Sequence, residues 1–206
     1  MQTQTEKLSL INGRIHTPSS VASNITFEHG RIVSIDDDSA GITGSGKVID
    51  LHGRTVLPAF CDTGLDFLGW AENQERLSLT SITSAKAFTS ALSAYVQANP
   101  KPLRGWYIAQ GLSGNIHITR DDLDSIIPSM PCAVIDADYT HATLNTPAMS
   151  EFHMPQENTE LEGFAQHLPE LSRDDIIYLV KAYAPRINAL GISEVWGDFY
   201  GDAGFL

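Results

Sequence analysis

The chain has 206 residues, enough for one large domain or two small ones around a real core. It carries 25 acidic against 13 basic side chains, a formal net charge of −12. That balance excludes the clustered Lys and Arg that nucleic-acid binding needs, and it gives no attraction to an anionic membrane surface. Hydrophobic residues make up 42% and charged residues 18%, an ordinary globular composition. No stretch reaches the length of a signal-peptide core or a transmembrane helix, so a cytoplasmic location is expected.

In chain order, residues 7–57 read as short strands. "KLSLINGRIHT", "NITFEHGRIVSID" and "KVIDLHGRTVLP" alternate apolar and polar residues around Asn-Gly and His-Gly turns, each followed by arginine. They predict a small β-sheet, half of a sandwich. After Pro58 the period changes. "SAKAFTSALSAYVQANP" predicts a helix capped by Ser84, with Phe88, Ala91, Leu92, Tyr95 and Val96 on one face. "GWYIAQGL" reads as a strand and "TRDDLDSIIP" as a short helix capped by Thr119. "CAVIDAD" is a buried strand, and "NTPAMSEF" starts a helix at Asn145 or Thr146. "SRDDIIYLVKAYAPRINALG" places Ile176, Ile177, Val180, Tyr183, Ala184 and Ile187 on one helical face, with a kink expected at Pro185. "ISEVWGDF" is a last strand. Alternating strands and helices make this second part α/β.

Motifs are few. "GITGSGKV" spaces Gly41, Gly46 and Lys47 like a phosphate loop, but Val48 replaces the hydroxyl residue and a strand follows instead of a helix. It reads as a hairpin loop. Cys61 and Cys132 sit in apolar runs and are expected as buried free thiols. No two of the seven histidines have the spacing of a local zinc pair. His16, His29 and His52 fall at strand ends or turns. His141 differs, because "DADYTHATLN" sets Asp138, His141 and Asn145 at the C-terminal end of a strand, where α/β folds carry their sites. Two readings stand: a functional cluster, or a loop histidine bonded to a local carboxylate. The second expects Asp138 to hold His141 and Asn145 to sit near the N-cap of the following helix.

The stretch "PAFCDTGLDF" reads as a buried apolar strand that ends in a polar cluster, Asp62, Gly64 and Asp66. Taken with "LINGRIHT", "VIDLHGRTVLP", "GWYIAQGL" and "CAVIDADYTHATLNTPAM", it resembles the N-terminal portion of amidohydrolase family 3, the group of N-substituted formamide deformylase-like enzymes. The resemblance implies a metal-dependent hydrolase of non-peptide C–N bonds, built from a (β/α)₈ barrel and a composite β-sandwich. In that family the matching strand reads Pro-Gly-Phe-Ile-Asp-x-His-x-His, and its histidines bind a catalytic divalent metal such as zinc. Here Asp62 is kept, while Gly64 and Asp66 stand in the two histidine places; Asp66 is a weak metal candidate at best.

The resemblance divides the chain into a β-sandwich-like segment, 1–57, and an incomplete barrel-like segment, 58–206. A complete barrel needs roughly 250 residues. The expectation is a truncated amidohydrolase-like chain with no catalytic residues of its own and no cofactor, inactive in isolation. The alternatives are an interaction module or one half of a split enzyme, paired with a second copy or with a complementary C-terminal half. A gene fragment without selected function is the third reading.

Overall fold

The computed structural model describes residues 7–37, 46–152, 158–160 and 168–197. The start of the glycine-rich stretch at Gly41, and both His153 and His167, lie outside them. The chain forms two compact units, Met1–Phe60 and Cys61–Leu206.

The first unit is all β. Strands β1 (Leu8–Ile11), β4 (Asn24–Glu28), β5 (Arg31–Asp36) and β6 (Lys47–Asp50) form one sheet in the order β5-β4-β1-β6. Strands β2 (Arg14–His16), β3 (Val21–Ala22) and β7 (Thr55–Val56) form a second in the order β3-β2-β7. The hairpin from β4 to β5 turns at His29 and Gly30, both with positive φ (52° and 73°). That consecutive left-handed pair is the tight turn whose twist matches the flanking strands. Ile15 and Ala22 from the smaller sheet meet Ile25 from the larger in a small core.

The second unit is α/β. Its main sheet has five strands: β9 (Leu77–Ser78), β10 (Tyr107–Leu112), β11 (Cys132–Asp136), β12 (His141–Leu144) and β13 (Asn158–Glu160). Their order is β13-β12-β11-β10-β9. β9, β10 and β11 run parallel, whereas β12 and β13 each run antiparallel to their neighbour. Burial along the central strands alternates by face. Tyr107, Ala109, Cys132 and Val134 pack beneath α2 (Ala85–Ala98) and α3 (Arg120–Ile126), with Phe88, Leu92 and Leu123. Ile108, Ala133 and Ile135 face the other way with Leu144 and with Ala148 of α4 (Thr146–Phe152). Each such large side chain contributes roughly 1.5–3 kcal/mol when fully buried. A strand covered on both faces reads as a continuous apolar run, and "CAVID" does.

A separate core joins α1 (Phe67–Glu75) to α5 (Arg173–Asn188). Phe67 and Ala71 meet Leu179, Tyr183 and Ile187, and Trp70 stands edge-on to Tyr183 at 5.7 Å. Beside them β8 (Phe60–Asp62) pairs with β14 (Ile192–Val195) in a two-stranded sheet.

The caps follow the sequence closely. Ser84 accepts from the Ala87 amide at 3.2 Å, and Thr119 forms a full capping box with Asp122. Ser172 does the same with Asp175 at the head of α5.

β12 runs antiparallel to β11, because Asp136 and His141 are joined by a hairpin. Three expectations need correction. "PAFCD" is not a buried strand: Phe60 is 57% exposed, since β8 has only β14 beside it among the described residues. Cys61 is therefore exposed, while Cys132 is buried as expected. Along α5 the buried stripe is Leu179, Tyr183 and Ile187, and Ile177 and Val180 lie exposed. Two adjacent apolar stripes compete there, and α1 covers just one. α5 also continues past Pro185 to Asn188. No helix among the described residues is long and apolar enough to cross a membrane.

Candidate functional site

At the end of β8 the chain turns into α1 through "DTGLD". Asp62 Oδ1 accepts from the amides of Gly64 and Leu65, each at 3.0 Å, which folds the turn back on itself. Asp66 is the N-cap of α1, and its Oδ1 accepts from the Gly69 amide at 3.0 Å. A Cβ on Gly69 would run into Asp66 Oδ2, so a side chain there would have to displace the capping carboxylate. Gly64 has ordinary dihedrals and open space around it; the nearest atom to a Cβ there is Asp62 Oδ1 at 4.0 Å. Both carboxylates thus hold backbone.

At the other candidate cluster, Asp136 ends β11 and organises the hairpin. Its Oδ1 accepts from the Thr140 amide at 2.8 Å. Its Oδ2 accepts from the Thr140 hydroxyl at 3.0 Å and the His141 amide at 3.1 Å. Partial burial pushes this carboxyl's pKa up, but the hydrogen bonds from His141 and Thr140 outweigh it and hold the pKa below the usual aspartate value. His141 Nδ1 lies 2.9 Å from Thr140 Oγ1 and 3.6 Å from Asp136 Oδ2. The carboxylate beside His141 is therefore Asp136. It takes the place expected of Asp138.

Asn145 follows β12, at the far end from His141. It is fully buried, and all four of its hydrogen bonds are made. Oδ1 accepts from the amides of Cys132 (2.9 Å) and Ala148 (3.1 Å). Nδ2 donates to the carbonyls of Ile127 and Met130, both at 2.9 Å. Asn145 is thus a tie between β11, the α3–β11 loop and the head of α4.

The structure does not gather Asp62, Asp138, His141 and Asn145 into one site. Asp62 and Asp66 belong to the β8 turn, Asp138 and His141 to the hairpin, and Asn145 to the interior. Among the described residues no three His, Cys, Asp or Glu side chains are arranged to hold a metal ion.

Two concavities lie in the second unit. One, of about 150 Å³, opens at the C-terminal ends of β10 and β11 and is lined by Ser113, His117, Asp136, His141 and Thr143 over apolar side chains. Composition gave no sign of His117 or Ser113; only the position after a strand could have flagged them. The other, of about 290 Å³, lies beside α1 and α5 and is lined by Arg76, Tyr95, Lys101, Trp106 and Tyr178 among others. Beneath it, buried Glu72 pairs with Arg76 at 3.3 Å and with Arg104 at 2.9 Å. Arg104 is held in a left-handed conformation (φ 57°).

This architecture is found among solved metal-dependent hydrolases. An uncharacterised metal-dependent hydrolase from Pyrococcus furiosus superposes with a TM-score of 0.76 at 21% identity, over 92% of this chain and 43% of that one. Another from Pyrococcus horikoshii OT3 gives 0.75 at 21%, over 92% and 42%. The fold is therefore one that these two structures share. The family model described as Amidohydrolase family matches residues 47–190, and the chain belongs to that family. Of curated relatives, YtcJ of Bacillus subtilis (strain 168) is 31% identical over 88 residues, 40% of this chain and 16% of its own length. The exoenzymes regulatory protein AepA of Pectobacterium carotovorum subsp. carotovorum is 26% identical over 156 residues, 69% of this chain and 34% of its own. The chain thus spans 16% and 34% of the length of these two curated relatives.

The metal such a family implies does not fit the β8 turn as this sequence builds it. Gly64 offers no donor atom, and Asp66 is committed to the α1 cap.

Proposed function

We propose that the 206-residue chain has an amidohydrolase architecture but does not hydrolyse C–N bonds by itself. One observation carries this reading: the positions that hold histidines in amidohydrolase family 3 are a glycine and a helix-capping aspartate. A metal site needs several convergent ligands, and a carboxylate already bonded to a helix N-terminus competes poorly for zinc. The chain corresponds to the N-terminal portion of a formamide deformylase-like enzyme, a composite β-sandwich half followed by the first part of a (β/α) barrel, working in the cytoplasm. Elemental analysis of the purified chain is the test, together with turnover of N-substituted formamides. Near-zero zinc and iron and no turnover are expected. About one tightly held metal per chain, with turnover abolished by chelation, overturns the reading.

A second reading makes the chain an interaction module, completed by a second copy or by a polypeptide supplying the rest of the fold. It is favoured by the exposed Ile177 and Val180 on α5 and Phe60 on β8, apolar surface of the kind that marks contact sites. The name of AepA, a regulatory protein, points the same way. Light scattering tests it: a dimer or a stable heteromer supports this reading, and a monomer at high concentration removes completion by a second copy.

A further inference from the structure

The outer side of α5 has an order of its own. Ile177, Val180, Lys181 and Ala184 follow the i, i+3, i+4, i+7 spacing of one helical face, and Asp174 lies three residues before Ile177 on it. The face that meets α1 is a different one, formed by Leu179, Tyr183 and Ile187. Ile177 is 39% exposed and Val180 42%. Asp174 and Lys181 are exposed as well, and neither has a hydrogen bond or ion pair among the described residues.

Charges on the flank of an apolar helix contact select its partner and its direction. Asp174 and Lys181 are seven residues apart, so both stand on the same flank of this face, one before Ile177 and one after it. Two copies of α5 laid antiparallel, with their Ile177 side chains together, bring each Asp174 against Lys181 of the other copy. One contact then holds two complementary pairs. A parallel arrangement sets Asp174 against Asp174 and Lys181 against Lys181, which repel. The antiparallel pairing is self-complementary, as a two-fold interface must be, and it opposes the two helix dipoles.

We propose that α5 is a self-association face, through which two copies of the chain pair antiparallel about Ile177, in a register set by Asp174 and Lys181. This rests on the interaction-module reading and names the partner as a second copy. One helix face is small beside a permanent interface, so the dimer is weak, with a Kd on the order of micromolar.

The test is analytical ultracentrifugation of the full chain across a concentration series. A monomer–dimer equilibrium is expected. Lys181→Glu and Asp174→Lys should each weaken it by roughly tenfold or more, and the double variant should restore it. In a Cys61→Ser background, which removes the exposed thiol, Ile177→Cys should cross-link to its own copy on mild oxidation and Asp174→Cys should not. A chain that stays monomeric overturns the proposal together with completion by a second copy. A dimer that the single charge reversals leave unchanged, or that the double variant fails to restore, overturns this pairing while the interaction-module reading stands. Cross-linking through Asp174→Cys in preference to Ile177→Cys overturns it too. Both charged positions are exposed, so each variant should keep the wild-type urea midpoint; if one does not, the cross-linking decides.

Discussion

Asp66 and Gly69 are matched to each other. The carboxylate of Asp66 occupies the space a side chain at 69 would need, and in that place it caps α1 through the Gly69 amide at 3.0 Å. Alanine normally improves a helix over glycine by up to about 1 kcal/mol. Here Gly69→Ala should destabilise, because the methyl displaces the cap. In an Asp66→Ala background the same change should become neutral or stabilising. Asp66→Ala alone should cost about 1 kcal/mol, and Asp66→Asn only a few tenths, since asparagine caps equally well. Urea titrations of the four variants check this. An Asp66→Asn chain that loses as much as Asp66→Ala, or wild-type stability that falls on chelation, would show Asp66 holding a metal.

Asn145 concentrates more stability than its polar nature suggests. Asn145→Ala takes this partner from two buried amides, the buried Ile127 carbonyl and the partly buried Met130 carbonyl, and each buried group left unpaired costs about 1–3 kcal/mol before relaxation. A loss of at least about 3 kcal/mol is expected. Asn145→Asp keeps the shape but turns an acceptor toward the carbonyls of Ile127 and Met130, so it should be about as harmful. A loss under 1 kcal/mol in either variant would mean that the tie is not made in solution.

The two thiols should separate cleanly. Cys61 is exposed, and Cys132 is fully buried with its pKa driven up by burial. Desolvation first, then the carboxylates of Glu194 and Asp62, also raises the Cys61 pKa, so its thiolate fraction is reduced. A disulfide reagent at neutral pH should modify one thiol per native chain, more slowly than free cysteine, and the second only after unfolding. Protection of Cys61 in the native chain would reveal something covering β8, and would favour the interaction reading.

Local rules were legible in the sequence wherever one element decided the outcome. Ser84 and Thr119 announce their helices, because capping depends on the residue and its nearest amides. The continuous burial of "CAVI" likewise follows from a strand covered on both faces. What failed depended on a partner elsewhere. "PAFCD" is apolar enough to be buried, but nothing among the described residues covers β8 beyond β14. β12 was hidden inside "DYTHATLN", although His141 and Thr143 alternate with the more buried Ala142 and Leu144. Closeness in sequence points to Asp138 as the partner of His141. The turn reverses that, because it folds His141 back onto the last residue of β11.

The same hairpin makes a prediction about pH. The Asp136 pKa is lowered by hydrogen bonds from the His141 amide and from Thr140 that outweigh burial, and the Asp122 pKa is lowered by the backbone and then the side chain of Thr119. A carboxyl whose folded pKa is depressed holds fewer protons folded than unfolded below neutrality. Its stabilisation is complete above the unfolded value, near 3.9, and is lost as pH falls through the folded value. The chain should therefore keep its stability from pH 7 to about 5 as far as these groups are concerned, then lose it progressively toward pH 3. Asp136→Asn should flatten part of that acid slope while lowering stability at pH 7, because both carboxylate oxygens accept here and the amide turns its NH2 toward donors that one of them served. Urea midpoints of both chains between pH 3 and 7 are the measurement. Parallel curves across that range would mean that Asp136 does not titrate differently on folding. In that case the hydrogen bonds to Thr140 and His141 contribute nothing specific to its charged form.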